Sequence, residues 1–199
     1  MTQSSSPTFA RRTFTLPLLA RSAAAALKSS PTLLKALRQP ATSPALREKV
    51  MLAVTAVNDC RYCSWVHTGL ALQNDVDLDD LQHVLDAGTF GQLDEREAVA
   101  ILYGKHFADT VREPDAEAER ALARAWSPEE RAEIMAYIHA IYFANLAGNS
   151  ADAWLARLRG AQVEGGNPLA EAVAAVVAAP VLGGIAIASR RSHRQMVAL

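Results

Sequence analysis

Helix start and stop signals recur along almost the whole chain, and they constrain the fold more than any other feature of the sequence. A serine or aspartate can cap the start of a helix, and proline suits the first helical turn. An acid three residues after the cap completes a capping box. Four such starts precede apolar runs: Ser30-Pro31, Ser43-Pro44, Asp94 with Glu97, and Ser127 with Glu130. Three glycine-containing stops follow such runs: Gly88, Gly148-Asn149 and Gly160.

Apolar residues between these signals recur at the helical period rather than in the alternation of strands. Clear examples are Leu78, Leu81 and Leu85; Ala98, Leu102 and Ala108; and Ile134, Ile138, Ile141 and Leu146. Hydrophobic residues make up 50% of the chain and aromatic residues only 6%, a composition that suits closely packed helices. We therefore predict an all-α fold of about eight helices.

The ends of the chain differ from its middle. We predict a flexible arm over 1–17, a helical domain over 18–164 with its core at 43–110, and an apolar helical tail over 168–199 that forms an interface between subunits. A first helix is expected over Leu18–Leu27, and a linker at Gly165–Pro168 precedes the tail. The excess of apolar surface on the tail predicts a homo-oligomer.

Charge and hydropathy exclude several classes of function. The formal net charge of −1 does not suit a nucleic-acid surface. Arg11-Arg12 resembles a twin-arginine export signal, but Pro17 and Arg21 interrupt the apolar run that such a signal needs. The uncharged stretch 172–188 is shorter than a membrane span and contains Pro180. We expect a cytoplasmic protein without a membrane anchor.

The two cysteines of the chain are three residues apart and predict redox chemistry. Cys60, Cys63 and His67 stand at i, i+3 and i+7, which places them on one stripe of a helix. Asn58-Asp59 predicts a turn, so this helix begins near Cys60 and extends to about Leu72. Backbone N–H groups at a helix start stabilise a thiolate, and a thiol pair at this spacing can close a disulfide reversibly.

Glu48 is the acidic residue that we expect beside this motif. It lies on the preceding helix, Pro44–Val57, away from the apolar stripe of that helix. If the two helices fold back as an antiparallel hairpin, Glu48 approaches the second helical turn, where Cys63 and His67 stand.

The pattern Glu48, eleven residues, Cys60-x-x-Cys63-x-x-x-His67 resembles the active-site signature of alkylhydroperoxidase D-like proteins in the carboxymuconolactone decarboxylase family. The resemblance covers about 43–108 and continues more weakly over 134–160. It implies an alkylhydroperoxidase D-like helical bundle and assembly into dimers, trimers or hexamers.

The resemblance also implies a peroxidase mechanism without a cofactor. Cys63 would attack a hydroperoxide, Cys60 would resolve the product as a disulfide, and Glu48 with His67 would relay protons. A dithiol reductant, either a thioredoxin-like or a lipoyl protein, would restore the thiols. Relatives often carry a second histidine just before the second cysteine, where this chain has Tyr62.

Three classes of function remain open at this point. One is a thiol peroxidase, the second is a non-redox enzyme of the decarboxylase type that uses Glu48 and His67, and the third is a non-catalytic, redox-sensing or metal-binding oligomer. A structural zinc site would need four ligands, and no second CxxC is present, so we predict no metal.

The remaining aromatic and histidine residues receive structural interpretations. Tyr62 and Trp65 are expected to line the pocket or an interface. His139 shares an apolar stripe and is expected to be a hydrogen-bonded core histidine. No specific context surrounds the other three histidines that we interpret as structural: His83, His106 and His193.

Overall fold

The computed structural model describes residues 8–77, 84 and 94–197. In this part of the chain lie two short strands and seven helices: β1 (Thr8–Phe9), α1 (Leu16–Ala36), α2 (Pro44–Asn58), α3 (Arg61–Gln73), α4 (Glu95–Asp109), α5 (Ala116–Ala125), α6 (Pro128–Leu158), β2 (Gln162–Val163) and α7 (Pro168–Val197). The predicted all-α fold is therefore confirmed. The predicted helix through Leu78, Leu81 and Leu85, its stop at Gly88, and His83 lie outside the described residues.

The chain divides into two compact units. The central unit comprises Ala20–Asn145, and the terminal unit comprises Met1–Leu19 with Leu146–Leu199. Glu48, both cysteines and His67 belong to the central unit, so the structure of that unit determines the geometry of the predicted site.

Helix α2 is the most buried helix of the central unit and packs against both α3 and α4. Its start is the predicted cap: the Ser43 hydroxyl accepts a hydrogen bond from the N–H of Leu46 at 3.0 Å. Glu133 on α6 accepts the backbone N–H groups of Ala41 and Thr42, each at 2.9 Å, and thereby fixes the segment that leads into α2. Both the position and the direction of α2 are therefore held by buried hydrogen bonds.

Helix α4 approaches α2 closely at Gly104. A Cβ atom at Gly104 would lie 3.3 Å from Cγ2 of Val54, closer than ordinary van der Waals contact. Val50, Leu52, Ala53 and Val54 are fully buried around this contact. Close packing of small and branched side chains thus builds the core of the central unit.

The Ser30-Pro31 prediction is wrong, because α1 continues through these residues from Leu16 to Ala36 instead of ending at Leu27. Proline has no N–H to donate to the carbonyl four residues earlier, which belongs to Leu27. The hydroxyl of Ser30 donates to that carbonyl at 2.8 Å instead. The serine therefore satisfies the group that the proline leaves open, and no new helix starts here.

One of the two predicted capping boxes forms. The Ser127 N–H donates to Glu130 Oε2 at 2.9 Å, and the Glu130 N–H donates to the Ser127 hydroxyl at 3.4 Å. The side chain of Asp94 makes no capping hydrogen bond at the start of α4, so that capping box is wrong. Glu97, its expected partner, accepts a hydrogen bond from Lys49 on α2 at 2.9 Å. The hydrogen bond from Lys49 to Glu97, which joins α2 to α4, thus forms in place of the local capping box.

The predicted stop at Gly148-Asn149 is also wrong, since α6 continues to Leu158. Gly148 and Asn149 are both buried, and the Asn149 amide donates to the carbonyl of Arg12 at 3.1 Å. Burial and this hydrogen bond outweigh the low helix propensity of the pair. The predicted stop at Gly160 is confirmed, with φ of 83°.

The terminal unit includes part of the predicted arm. Thr8 and Phe9 pair in parallel with Gln162 and Val163. Phe14 is fully buried, and its N–H donates to the Ser150 hydroxyl at 2.9 Å. Residues 8–15 therefore contact the rest of this unit through both backbone and side chain.

Helix α7 begins after the predicted linker, where Gly165 has φ of 64° and Asn167 caps the first turn. Four residues on one stripe of the helix are exposed: Leu169, Val173, Val176 and Val177. Among the residues that the structure describes, no helix combines the length and the apolarity that a membrane span requires.

Candidate active site

The site is built on a helical hairpin formed by α2 and α3. Asp59 ends α2 in the left-handed conformation with φ of 52°, and Cys60 then takes an extended conformation at the start of α3. Two residues, Asp59 and Cys60, therefore connect the two helices. The predicted turn at Asn58-Asp59 and the predicted start of α3 near Cys60 agree with this arrangement.

The two thiols are in direct contact. The Sγ atoms of Cys60 and Cys63 lie 2.9 Å apart, and no disulfide bond joins them. Cys60 is 1% exposed and Cys63 is 9% exposed. A disulfide bond is about 2.05 Å long, so the sulfur atoms need to approach by only about 0.9 Å to form one.

Cys60 affects the ionisation of Cys63. The hydrogen bond to Cys60, burial, and the charge of Cys60 all raise the pKa of the Cys63 thiol. The backbone N–H of Cys63 donates to Sγ of Cys60 at 3.5 Å. The two thiols thus behave as one coupled pair, in which the two sulfur atoms have different surroundings.

Glu48 and His67 form a second pair, as the hairpin prediction requires. His67 Nδ1 lies 2.7 Å from Glu48 Oε2, and Arg47 Nε donates to Glu48 Oε1 at 2.7 Å. Burial alone would raise the pKa of Glu48, whose side chain is 1% exposed. The hydrogen bonds and charges of His67 and Arg47 outweigh burial and hold the pKa of this carboxyl below its ordinary value.

The two pairs are neighbours, because His67 and Cys63 both lie on α3. His67 stands one turn after Cys63, a spacing at which side chains on a helix face each other. A single water molecule can bridge such a gap, so proton transfer between imidazole and thiol is compatible with this spacing.

A pocket of about 500 Å³ opens beside Cys60. It is lined by Thr55, Ala56, Asp59, Cys60, Arg61, Ser64 and Trp65. Trp65 lines this pocket. The ring of Tyr62 lies under the guanidinium of Arg61, 4.7 Å from ring centre to Cζ. The Tyr62 hydroxyl accepts a hydrogen bond from Arg61 at 2.7 Å.

Residues 23–105 match the model of the carboxymuconolactone decarboxylase family, which includes alkylhydroperoxidase D-like proteins. Residues 23–105 are therefore similar to the domain of this family. Comparison with curated proteins and with solved structures gave no match. The matched region spans α2 and α3, so it contains the hairpin with both thiols, Glu48 and His67.

Two polar contacts of this domain were not predicted from its sequence. Arg47 neutralises one oxygen of Glu48, although adjacent residues on a helix rarely face each other. Thr55, which lines the pocket, exchanges a hydrogen bond with Asn145 at 3.0 Å, and both side chains are buried. The signal for Asn145 is its position in an otherwise apolar run of α6, where a polar residue needs a buried partner.

His139 has the structural role expected for it. Its Nδ1 lies 2.8 Å from the hydroxyl of Ser29 on α1, and its ring packs beside Phe107. Burial, with a smaller contribution from the charge of Arg112, lowers the pKa of His139 to about 4. The ring is therefore neutral at physiological pH and belongs to the packing of the central unit.

Among the described residues, Cys60, Cys63, His67 and Glu48 do not form one cluster of potential metal ligands. Within residues 8–77, 84 and 94–197, no group of three or more histidine, cysteine, aspartate or glutamate side chains is placed to hold a metal ion. Cys60 contacts Cys63, while Glu48 contacts His67 and Arg47. The arrangement suits thiol chemistry beside an acid–base pair.

Proposed function

We propose that the protein is a thiol-dependent peroxidase, which reduces a hydroperoxide by cycling Cys60 and Cys63 between dithiol and disulfide. The observation that supports this most directly is the 2.9 Å separation of the two sulfur atoms at a helix start, where no disulfide bond joins them. A thiolate that attacks the O–O bond becomes a sulfenic acid, and a second thiol in contact with it condenses to a disulfide. Very little movement of α3 is needed for that step.

Glu48 and His67 are proposed as the acid–base pair of this reaction. Glu48, ionised and hydrogen bonded to Nδ1, orients the imidazole and stabilises its protonated form. His67 then accepts the proton of a thiol and returns it to the departing alkoxide. A histidine held in this way can act in both directions near neutral pH.

The cycle requires a dithiol reductant, and we propose a thioredoxin-like or lipoyl protein in this role. Reduction proceeds by thiol–disulfide exchange, in which the incoming thiolate attacks one sulfur of the Cys60–Cys63 disulfide. The reducing cytoplasm, where free thiols persist, is the proposed compartment.

Thiol titration tests the proposal. The reduced protein is treated with one equivalent of hydrogen peroxide or cumene hydroperoxide, and the free thiols are then counted under denaturing conditions. We expect two thiols to be lost together per peroxide and to return with dithiothreitol. The Cys60→Ser/Cys63→Ser double variant is the matched control and should consume no peroxide. Unchanged thiols after ten equivalents of both peroxides would contradict a peroxidase.

A second candidate, a non-redox enzyme of the decarboxylase type, is favoured by one observation. The Glu48–His67 pair is complete without either thiol in its hydrogen bonding. Such an enzyme would retain its acid–base chemistry in the double serine variant. Unreactive thiols together with substrate turnover by that variant would favour this candidate over the peroxidase.

A further inference from the structure

Glu48 contacts a different partner with each of its carboxylate oxygens. Oε2 lies 2.7 Å from Nδ1 of His67, and Oε1 accepts a hydrogen bond from Nε of Arg47 at 2.7 Å. Adjacent residues on a helix point away from each other, so the second contact requires a specific conformation of the Arg47 side chain. A guanidinium cannot lose its proton in a protein, whereas an imidazole changes its charge near neutral pH. Arg47 is therefore the partner whose charge is permanent.

The position of one proton, between Glu48 Oε2 and His67 Nδ1, decides how charge is distributed in this pair. When the pair holds two protons, a carboxylate can face an imidazolium, or a carboxylic acid can face a neutral ring that carries its proton on Nε2. Burial favours the neutral arrangement, because it disfavours charge. An imidazolium is the stronger acid of the two ring forms. Only the charged arrangement therefore supplies a good proton donor for a departing alkoxide.

The charge of Arg47 favours the charged arrangement. Burial is the largest influence on the pKa of Glu48 and raises it, but the hydrogen bonds and charges of His67 and Arg47 hold this pKa below its ordinary value. The guanidinium acts on the oxygen that His67 does not use, so both contacts exist together. A permanent positive charge beside the pair also weakens its hold on the second proton.

Other titratable groups near α2, besides the two thiols on α3, have partners of their own. On α6, Glu133 accepts a hydrogen bond from the Tyr137 hydroxyl at 2.7 Å and further bonds from the backbone ahead of α2. On α4, Glu97 accepts one from Lys49 at 2.9 Å. Burial, the larger influence, raises the pKa of Tyr137, and the charge of Arg47 lowers it only in part. A change at Arg47 should therefore act mainly on the carboxylate that it contacts.

We infer that Arg47 is a positioning residue, which acts through Glu48 to keep on the imidazole ring the proton that His67 takes from a thiol. The inference rests on the proposed peroxidase function, in which His67 carries this proton. Because Glu48 occupies Nδ1, the ring exchanges protons with the thiol and the alkoxide through Nε2.

The protons and electrons of the cycle balance with Arg47 charged throughout. A thiol proton moves to Nε2, and Nδ1 keeps its own proton in the hydrogen bond to Glu48. The thiolate bonds to the distal oxygen of ROOH as the O–O bond breaks, and the alkoxide takes the Nε2 proton and leaves as ROH. The second thiol then displaces hydroxide from the sulfenic acid, and its proton completes a water molecule. The sulfur pair loses the two electrons that the O–O bond gains.

The pH profile of kcat/KM for hydrogen peroxide tests this role. Arg47→Gln keeps a hydrogen-bond donor for Glu48 but removes the charge, so the pair holds its second proton to higher pH. We expect the acid limb of the profile to rise by about 1 pH unit, which makes kcat/KM about 10-fold lower on that limb. Arg47→Lys, which keeps the charge, should move the limb less than half as far.

Arg96→Gln is the matched control, because it removes another arginine from a carboxylate, Glu130, at 2.6 Å. This variant should leave the acid limb at the wild-type pH. Circular dichroism checks that all the variants are folded. An unchanged limb in Arg47→Gln, with or without a uniform loss of rate, would overturn the inference, as would an equal shift in Arg96→Gln.

Nitrogen-15 NMR of the reduced protein locates the proton without peroxide. The signals of His67 are identified by their absence in His67→Asn. On acidification, the wild-type pair should show an imidazolium with both ring nitrogens protonated, whereas Arg47→Gln should pass through a neutral ring that is protonated on Nε2. A neutral ring in the acidified wild-type protein, or a direct change to imidazolium in Arg47→Gln, would overturn the inference.

The two experiments separate the role of Arg47 from the proposed function. If the wild-type protein consumes no peroxide but the NMR signals differ as expected, the peroxidase is wrong and the effect of Arg47 on the pair is supported. If peroxide is consumed and Arg47→Gln matches the wild-type protein in both experiments, the role of Arg47 is wrong and the peroxidase remains.

Discussion

At the scale of single residues, Glu48 is the clearest example of a buried charge that neighbouring side chains stabilise. It is almost fully buried, yet the hydrogen bonds from His67 and Arg47 keep it ionised below the usual pKa of a carboxyl group. A buried carboxylate that is fully hydrogen bonded orients its partners and stays charged when the imidazole accepts a proton.

Replacing Glu48 should slow peroxide reduction while the protein remains folded. Glu48→Gln removes the charge that stabilises protonated His67, and we expect kcat/KM for hydrogen peroxide to fall by roughly 10²–10⁴-fold. Glu97→Gln, which removes a carboxylate paired with Lys49 on α2, is the control and should change the rate little. Full activity in Glu48→Gln would exclude the acid–base role.

Arg112, in the central unit, is a charged residue whose guanidinium lies near aromatic rings. Its guanidinium lies 5.5 Å and 5.9 Å from the ring centres of Phe107 and Tyr142, and within the described residues its Nε and Nη1 atoms are buried without a hydrogen-bond partner. Burial lowers the pKa of this side chain. Contact with aromatic faces thus replaces a carboxylate partner.

Arg112→Met should therefore cost less stability than the same change at Arg157. Methionine keeps the packing against the rings and removes an unpaired buried charge, so we expect a loss below about 1 kcal/mol in urea unfolding. Arg157→Met leaves the fully buried Glu171 without its partner and should cost about 3 kcal/mol. A loss of unfolding free energy above about 1 kcal/mol for Arg112→Met would show that the charge of Arg112 stabilises the fold.

At the scale of helices, capping by Ser43 and by Asp94 can be compared directly. The Ser43 hydroxyl accepts the N–H of Leu46, whereas the Asp94 side chain makes no capping hydrogen bond. We expect Ser43→Ala to lower the free energy of unfolding by about 1 kcal/mol and Asp94→Ala to lower it by less than about 0.5 kcal/mol. Chemical denaturation measures both, and equal losses would mean that the difference in capping has no energetic effect.

Local signals in the sequence predicted those elements whose hydrogen bonds are themselves local. The caps at Ser43 and Ser127, the turn before Cys60 and the end of α6 near Gly160 all depend on residues within four positions. The helix start predicted at Ser30-Pro31 is wrong because the Ser30 hydroxyl donates to the carbonyl of Leu27, which the proline cannot bond. The helix end predicted at Gly148-Asn149 is wrong because burial and the hydrogen bond of Asn149 outweigh the low helix propensity of the pair. The capping box predicted at Asp94 does not form, because Glu97 accepts a hydrogen bond from Lys49 on another helix.

In the candidate site too, local contacts were predictable from the sequence and long-range contacts were not. The stripe of Cys60, Cys63 and His67 follows from helical spacing alone, and the contact of His67 with Glu48 follows once the helices form a hairpin. The hydrogen bond between Thr55 and Asn145 joins residues 90 positions apart, so no local pattern could have predicted it.

At the scale of the whole molecule, His139 makes stability depend on pH. Burial lowers its pKa to about 4, below its ordinary value of about 6.5, so the folded state favours the neutral ring. This contribution is fully present above pH 6.5 and is lost as the pH falls from 6.5 through about 4. Because the ring is only partly buried, the loss should be roughly 1–2 kcal/mol.

Replacing His139 with glutamine should remove most of this pH dependence. His139→Gln keeps a polar group that can bond to the Ser29 hydroxyl but does not titrate. Thermal unfolding between pH 6.5 and 4.5 should show a flatter slope for the variant than for the wild-type protein. Four carboxyl groups with lowered pKa contribute mainly below this range: Glu48, Asp115, Glu130 and Glu133. Identical slopes would contradict the role of His139.

The apolar stripe on α7 predicts how copies of the chain associate. Val176 is 75% exposed, and the stripe that contains it, Leu169, Val173, Val176 and Val177, is larger than isolated surface residues require. We expect a homo-oligomer in light scattering, and Val176→Lys should shift it towards the monomer. Leu27→Lys, on an equally exposed residue of α1, should not. A monomeric wild-type protein, or dissociation by Leu27→Lys alone, would contradict this interface.

The buried Phe14 has a practical consequence for anyone who shortens the protein. Removal of the chain ahead of α1 would leave a cavity the size of a benzyl group beside Ser150 and would strip β2 of its partner strand. Cavities of that kind destabilise a protein by several kcal/mol, about 3–5 for a buried phenylalanine. A truncated protein should therefore keep Thr8 and the residues that follow it. Proteolytic cleavage between Thr8 and Leu16 should destabilise the protein and make it prone to aggregation.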